Sequence, residues 1–262
     1  MTELEQIERD AYASLYAAAP ADLAARGLAV VEIGGAACLR LPTVSTTMLN
    51  RVSGLGLERP AHDDDLDAID GFFCETRYAI ALAPGAEPSD LDRRLRARGF
   101  TPAYAWMKFR RDRSPPPAVE TDLRVEEIGA DAAADFGRVA TAAYGLPDWF
   151  ADLWPGVVGR DRWHCFVAYA GDEPAAAGAL YASGRTGWFG AAGTLPNFRR
   201  RGGQGAIMAA RIAKARELGL ALLVTETGER VADRPSSSYR NILRFGFEEA
   251  YLRPNYERRD AD

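Results

Sequence analysis

The sequence has few of the residues that hold metals and disulfides. Its 262 residues include three cysteines and two histidines, and no two cysteines have the CxxC spacing. Structural zinc sites and disulfide frameworks need more of these residues at closer spacing. We therefore expect no bound metal. We interpret Cys38, Cys74 and Cys165 as buried thiols of a protein in a reducing compartment.

Membrane and export signals are also missing. No stretch is apolar for long enough to span a bilayer, and the first residues lack the pattern of a signal peptide. The sequence therefore predicts a cytoplasmic protein without a membrane partner.

Lysine is nearly absent, since Lys108 and Lys214 are the only two. The formal net charge is −5, which argues against nucleic acid as a main partner. Hydrophobic residues make up 47% of the chain and charged residues 26%, as in a folded globular protein. A local cluster of arginine in such a chain fits a site for one small anion.

Two common phosphate loops are absent, because there is neither Gly-Lys-Ser/Thr nor the glycine spacing of a dinucleotide site. Instead, three arginines (199–201) and a Gly-Gly-Gln-Gly run (202–205) separate a predicted strand from a predicted helix. Unpaired N–H groups at a helix start, its dipole and arginine charge together favour a phosphate or pyrophosphate. The competing interpretation is a solvated run of charge.

The spacing Arg200-x-x-Gly203-x-Gly205 resembles the Gln/Arg-x-x-Gly-x-Gly/Ala loop of the GNAT superfamily of acetyl-CoA-dependent N-acyltransferases. Downstream, residues 237–241 lead into Gly246 and Phe247, which resembles the last helix and Gly-Phe corner of that family. The resemblance implies an α+β fold with a mixed central sheet flanked by helices. It also implies acetyl-CoA as co-substrate, without a metal, and an amine as acceptor.

The resemblance assigns residues to the co-substrate by position. The loop that would hold the pyrophosphate comprises Arg200, Arg201, Gly202, Gly203, Gln204, Gly205 and Ala206. In this fold the fourth and fifth strands part around the pantetheine arm. That places the acyl end at Gly193, Thr194 and Leu195, whose backbone N–H groups would polarise the thioester carbonyl. Asn241 and Arg244 are candidates for contacts with the adenosine phosphate or ribose.

The catalytic residues are less directly indicated. Many family members have a Tyr four residues before the Gly of Gly-Phe, and here that position is Ile242. Tyr239, three residues earlier on the same predicted helix face, is the substitute proton donor, or else a packing tyrosine. Glu226 follows the predicted fifth strand and is the candidate general base, or else a capping or surface acid.

A segment rich in large apolar side chains follows the helix predicted for residues 131–144. We expect it to wall the acceptor pocket through Tyr144, Leu146 and Trp149. The alternative is that these side chains are ordinary core.

A proline-rich segment, 113–120, divides the chain into predicted domains 1–112 and 121–262. Both halves contain the pattern GFxxAY after an arginine-rich helix, at 99–104 and 246–251. This repetition predicts a tandem GNAT protein whose first copy is degenerate, because that copy has no arginine-glycine loop.

The predicted function is transfer of an acetyl group from acetyl-CoA to a primary amine by direct attack on the thioester. The alternatives are a longer acyl donor and a non-catalytic acyl-CoA-binding or regulatory protein. The partners are acyl-CoA and a small amine, and both monomer and homodimer stay open.

Overall fold

The computed structural model describes residues 2–231 and 237–258. By contacts the chain divides into two compact units. Unit 1 contains Met1–Lys108, Thr227–Val231 and Ala250–Asp262, and unit 2 contains Phe109–Glu226 and Ala232–Glu249. The end of the chain thus belongs to unit 1 although it follows unit 2 in sequence. The predicted boundaries at 112 and 121 stay a prediction.

Unit 1 has a mixed sheet with the strand order β1-β2-β3-β4-β11-β5. The strands are β1 (Ala29–Ile33), β2 (Ala36–Arg40), β3 (Arg51–Ser53), β4 (Ala79–Ala81), β5 (Phe100–Arg111) and β11 (Glu248–Arg258). Its helices are α1 (Glu3–Ala17), α2 (Ala21–Ala25), α3 (Asp63–Phe73) and α4 (Leu91–Ala97). Its apolar core includes the stacked rings of Phe73 and Tyr78, whose centroids are 3.9 Å apart.

Unit 2 has a mixed sheet with the strand order β10-β9-β8-β7-β6. The strands are β6 (Arg124–Glu127), β7 (Trp163–Ala170), β8 (Glu173–Ser183), β9 (Thr186–Thr194) and β10 (Leu222–Gly228). Its helices are α5 (Ala133–Ala143), α6 (Gly203–Glu217) and α7 (Ser237–Arg244). Helices α5 and α6 cover opposite faces of this sheet. Gly193 on β9 faces α5, and so does Ala177, with which it pairs on β8. The next residue, Gly178, faces α6, because successive residues of a strand point to opposite faces.

The two units repeat one pairing pattern. In unit 1, β1–β2 and β2–β3 are antiparallel and β3–β4 is parallel. In unit 2, β7–β8 and β8–β9 are antiparallel and β9–β10 is parallel. In both units a helix separates the parallel strands, and a second helix ends at a left-handed glycine, Gly99 or Gly246, before the last strand. The predicted duplicated fold, with a mixed sheet and flanking helices in each half, is confirmed.

Of three local predictions, two need correction. Cys74 is exposed, because it caps the end of α3 in a left-handed conformation (φ 51°), where the chain turns away from the core. The prediction of a loop or short helix near 145–155 is confirmed, since a 3₁₀ helix runs over Asp148–Gly156 and ends just after Pro155. Residues 45–60, for which the sequence predicted a short helix and a loop, contain strand β3, which has only three residues and no alternating pattern.

Candidate active site

Strands β9 and β10 part in unit 2. Their parallel pairing covers only Leu222–Val224 opposite Thr186–Trp188, although β9 runs on to Thr194. One further hydrogen bond, from Thr225 Oγ1 to the Phe189 carbonyl (2.8 Å), follows this pairing. The parting of fourth and fifth strands that the resemblance implied is therefore present, and it opens on the side where α6 begins.

Strand β9 carries a β-bulge where the strands part. Ala177 pairs with Gly193 and Ala179 with Gly190, so Gly178 on β8 lies opposite two residues, Ala191 and Ala192. Ala191 is left-handed, with φ 50°. A bulge re-aims the backbone groups of the bulged strand. The sequence did not indicate it, because alanines in a strand give no local signal for a bulge.

The arginine-glycine loop enters α6 through left-handed residues. Arg200 has φ 66°, and Gly202, the N-cap, has φ 78° and no side-chain cap. The first N–H groups of a helix have no partner within it, so this end is suited to an anion. Arg200 is exposed and lies beside it.

The segment before β6 holds this loop in place. Thr121 Oγ1 donates to the Arg201 carbonyl (2.7 Å), and the Arg201 guanidinium forms a two-atom ion pair with Asp122. This bond to Arg201 is the main cause that lowers the pKa of the Asp122 carboxyl. Of the two arginines that the resemblance assigned to the pyrophosphate, Arg201 is thus engaged by a carboxylate.

The glycines of the motif lie close to neighbouring segments of the protein. A Cβ on Gly203 would lie 3.0 Å from Leu123 Cδ1, and one on Gly205 would lie 3.0 Å from Arg244 Nη2. A Cβ on Gly202 would lie 2.4 Å from the Glu120 carbonyl oxygen. Neighbouring segments thus approach the start of α6 closely. Close approach of a ligand to the backbone at these glycines stays a prediction.

Buried polar atoms without partners lie at both predicted ends of the co-substrate. Within the described part of the chain, Thr194 Oγ1 and Asn241 Nδ2 are buried and make no hydrogen bond. Such atoms are uncommon in folded proteins and fit a ligand with polar groups along its length. The N–H of Leu195 differs, since it donates to the Ala175 carbonyl (2.9 Å) and is already occupied. Gln204 and Arg244 contact α7 residues, namely Ser238 (3.4 Å) and Asn241 (3.0 Å).

Glu226 lies on β10 two residues past Val224, where the ladder with β9 ends. Both of its carboxylate oxygens accept from the Trp188 indole N–H, at 3.0 and 3.1 Å, and the side chain is half-buried. The indole fixes the carboxylate at the point where the strands separate.

Tyr239 is buried, with 2% of its surface exposed. Its hydroxyl donates to Glu249 (2.6 Å), and its ring packs edge-on against Phe109. Ile242, at the position where many relatives have Tyr, is also buried. Tyr239 is thus hydrogen-bonded to a carboxylate other than Glu226.

Tyr144 lies at the end of α5, where Ala143 packs so closely on β9 that a Cβ on Gly193 would lie 2.1 Å from it. Tyr144 as a whole is 45% exposed, yet burial of its hydroxyl and the charge of Glu226 raise its pKa. The Arg211 cation and the Ala192 backbone act in the opposite direction. The structure therefore brings Tyr144, Glu226 and the bulge together. Leu146 and Trp149 are half-buried in the same segment.

Arg211 on α6 is a site residue that the sequence interpretation missed. It was counted as one arginine of a helix, but its guanidinium is buried and reaches the β9 bulge. The signal available in the sequence was its position, four residues after Ile207, on the apolar face of the predicted helix.

The described residues show neither metal nor membrane features. Residues 2–231 and 237–258 contain no group of three or more His, Cys, Asp or Glu side chains arranged for a metal ion. No helix in that part of the chain has the length and apolar character needed to cross a bilayer.

The sequence model of the acetyltransferase (GNAT) domain family matches residues 93–228, more than half of the chain. The chain belongs to the GNAT acetyltransferase family. The GNAT fold is shared with a GCN5-related N-acetyltransferase from Kribbella flavida (TM-score 0.63, 19% identity, covering 95% of this chain and 96% of that one). It is also shared with one from Sphaerobacter thermophilus (TM-score 0.60, 14% identity, covering 85% and 80%).

A tandem GNAT protein from the clavulanic acid biosynthesis pathway is similar as well (TM-score 0.59, 15% identity, covering 88% of this chain and 80% of that one). No protein with a curated description is significantly similar in sequence. The family supports acyl transfer from acyl-CoA, and the tandem GNAT fold agrees with the repeated pairing pattern of the two units.

Proposed function

We propose that unit 2 transfers an acetyl group from acetyl-CoA to a primary amine by direct attack on the thioester. The observation that supports this best is the meeting of three features in one unit. These are the parted β9 and β10, the uncapped start of α6 beside Arg200, and Glu226 where the strands separate. The acceptor is a small amine.

Binding and orientation are assigned to α6, α7 and β9. The N–H groups at the start of α6, with Arg200, hold the pyrophosphate, and Asn241 and Arg244 face the adenosine end. Thr194 Oγ1 supplies a polar contact to the pantetheine arm. At the acyl end the N–H of Ala192 in the β9 bulge polarises the carbonyl, in place of the Leu195 N–H, which already donates to the Ala175 carbonyl.

Acetyl-CoA, when bound, supplies an activated acyl group, and the chain manages the proton. Glu226 accepts the proton of the attacking amine, directly or through water, because a protonated amine is not a nucleophile. Trp188 keeps the carboxylate in place. Tyr239 remains the predicted donor to the departing sulfur, although its bond to Glu249 gives it a second role.

The first experiment combines the wild-type chain with acetyl-CoA and a panel of amines that contains amino acids, polyamines and aryl-alkyl amines. Free CoA and the acetylated amine are quantified together by chromatography and mass spectrometry. The proposal expects both products in equal amounts for at least one class of amine. CoA release without acetylated amine would instead indicate hydrolysis. Propionyl- and butyryl-CoA in the same assay decide whether a longer acyl donor is preferred.

A non-catalytic acyl-CoA-binding protein is the second candidate. It is favoured by Ile242 at the usual tyrosine position and by the engagement of Tyr239 with Glu249. Calorimetric binding of acetyl-CoA without transfer to any amine of the panel would support this candidate and overturn the first.

A further inference from the structure

The β9 bulge opens a gap in the sheet, and Arg211 occupies it. Its Nη1 donates to the Ala179 carbonyl (3.1 Å) and to the Gly190 carbonyl (3.3 Å), which are the last residue pair before the bulge. Its Nε donates to the Ile207 carbonyl on its own helix (3.4 Å). The guanidinium therefore satisfies carbonyl groups at the place where the strand ladder is interrupted.

The opposing strand is shaped for this side chain. A Cβ on Gly178 would lie 3.2 Å from Arg211 Cζ and 2.6 Å from Ile207 Cγ2. Glycine at 178 thus leaves space for the arginine, and the Phe189 ring lies 4.8 Å from the guanidinium carbon. The bulge, the glycine and the arginine form one fitted arrangement.

The charge of Arg211 is buried, and no carboxylate of residues 2–231 or 237–258 forms an ion pair with it. The residue is 1% exposed, and among the described residues its hydrogen-bond acceptors are neutral carbonyls and the Met208 sulfur. Burial lowers its pKa to about 10, which still leaves it charged at neutral pH. An unneutralised buried cation is costly for folding, so a negative charge that forms nearby is strongly stabilised.

We propose that Arg211 is a positioning residue for acyl transfer, fixing the β9 bulge and setting a positive charge behind the Ala192 N–H. This proposal rests on the proposed function. As the amine nitrogen bonds to the acyl carbon, negative charge grows on the carbonyl oxygen at that N–H. The carbon–sulfur bond then breaks and the sulfur receives a proton from Tyr239. The proton that Glu226 takes from the amine balances this transfer, since it restores Tyr239 through water. Arg211 keeps its own proton throughout.

The test separates the charge from the hydrogen bonds. Arg211→Gln keeps an N–H donor for the carbonyls and removes the charge, Arg211→Lys keeps the charge, and Arg211→Met is the alternative neutral variant if the Gln variant does not fold. Arg216→Met, an exposed arginine on the same helix, is the matched control. We expect the neutral variant to lower kcat about 10- to 100-fold with KM for acetyl-CoA within twofold. Loss of a direct oxyanion donor costs about 10²–10³. Arg211→Lys should recover most of the rate.

A second readout does not depend on turnover. The charge of Arg211 lowers the pKa of Tyr144, so the neutral variant should raise that pKa, and Arg211→Lys and Arg216→Met should not. NMR of ¹³C-labelled tyrosine, assigned with Tyr144→Phe, measures it. If the wild-type chain acetylates no amine, the proposed function fails while the pKa still reports on the charge. An unshifted Tyr144 pKa, or a neutral variant with wild-type kcat, would overturn the proposal.

Discussion

At the scale of the residue, Gly203 and Gly205 of the α6 loop have neighbours that their spacing in the sequence does not predict. The Arg-x-x-Gly-x-Gly spacing predicted an anion site, yet Gly203 and Gly205 face Leu123 and Arg244 rather than open space. The sheet and α7 approach helix α6 closely there. The spacing therefore identifies the geometry of the helix start, and the ligand contacts follow from the N–H groups that this geometry leaves uncapped.

Glu226, the proposed general base, is a residue whose position along the chain the sequence indicates but whose surroundings it does not. Glu226 was predicted from its position after an apolar run, and it lies where β9 and β10 separate. Its fixed orientation depends on Trp188, 38 positions earlier, which no local pattern connects to it.

Glu226→Gln tests the proton acceptor, because the change keeps the shape and removes the base. We expect kcat to fall about 10²–10⁴-fold, the usual contribution of a general base, with unchanged affinity for acetyl-CoA. The loss should shrink as pH rises, since more of the amine is then already unprotonated. Steady-state kinetics from pH 6 to 9 measure this, with the exposed Glu217→Gln as control. A pH-independent loss, or a wild-type rate at neutral pH, would contradict the assignment.

At the scale of the element, the start of α6 depends on contacts that the sequence could not reveal. Thr121 and Asp122 were predicted only as the beginning of the second domain, yet they hold the Arg201 carbonyl and guanidinium. The β9 bulge and the partner of Arg211 were likewise missed, since alternation of side chains along a strand does not register an extra residue. Local patterns predicted the elements well, and the site depends on contacts between them.

Arg200→Glu tests the α6 loop as the pyrophosphate site. Arg200 is exposed beside the uncapped helix start, so the change places a negative charge there without disturbing a packed contact. We expect the affinity for CoA to fall about 10- to 150-fold, because a hydrogen bond to a charged group is worth about 1.5–3 kcal/mol. Calorimetry measures this. As control, Arg185→Glu in the β8–β9 turn makes the same charge change near the opposite, C-terminal end of α6. Equal affinities for the two variants would remove the loop from the site.

Buried ion pairs connect helix α1 to strands of its own unit, unit 1. Glu8 is completely buried and bonds to Arg51 (2.7 Å), Lys108 (2.6 Å) and Arg253 (2.5 Å). Burial alone would raise the pKa of Glu8, but the charges of Arg253, Lys108 and Arg51 hold it well below its ordinary value. The carboxylate is thus essential to three cations that cannot reach water.

Glu8→Gln should lower the free energy of unfolding by about 3–5 kcal/mol, as expected when one partner of a buried ion pair is removed. The wild-type contribution is present above the ordinary glutamate pKa of about 4.3 and is lost as pH falls toward the lower folded value. Denaturant titrations between pH 7 and 3 should therefore show the gap between wild type and variant closing at low pH. The control is Glu3→Gln, which is exposed on the same helix. A loss below about 1 kcal/mol at pH 7 would refute this account of α1.

At the scale of the whole molecule, the repeated pattern GFxxAY predicted a duplication, and the repeated strand pairing confirms it. What the sequence could not predict is that Ala250–Asp262 belongs to unit 1, where β11 pairs with β4. Residues almost 180 positions apart in the sequence pair here. Local sequence patterns cannot predict this pairing, because each of the two segments has only the pattern of an ordinary strand. The order of elements was therefore predictable, and their distribution between the units was not.

The two units should differ in their capacity for CoA, because the corresponding helix starts carry opposite charge. Helix α6 begins after three arginines and has no side-chain cap, whereas the first turn of α3 contains Asp63, Asp64 and Asp65. The Asp65 carboxylate accepts from the His62 N–H (2.8 Å) and pairs with Arg59, so a protein anion already occupies that helix start. A pyrophosphate would meet an acidic, occupied site in unit 1.

We therefore expect one CoA per chain by calorimetry, and Arg200→Glu should weaken that single binding event without revealing a second. Asp65→Asn serves as the reciprocal test. It removes a charge from the start of α3 and should leave the stoichiometry at one, because unit 1 still lacks the arginine-glycine loop. Two equivalent sites in the wild-type chain would show that the first copy has kept its capacity. One site that is insensitive to Arg200→Glu but altered by Asp65→Asn would place binding in unit 1 instead.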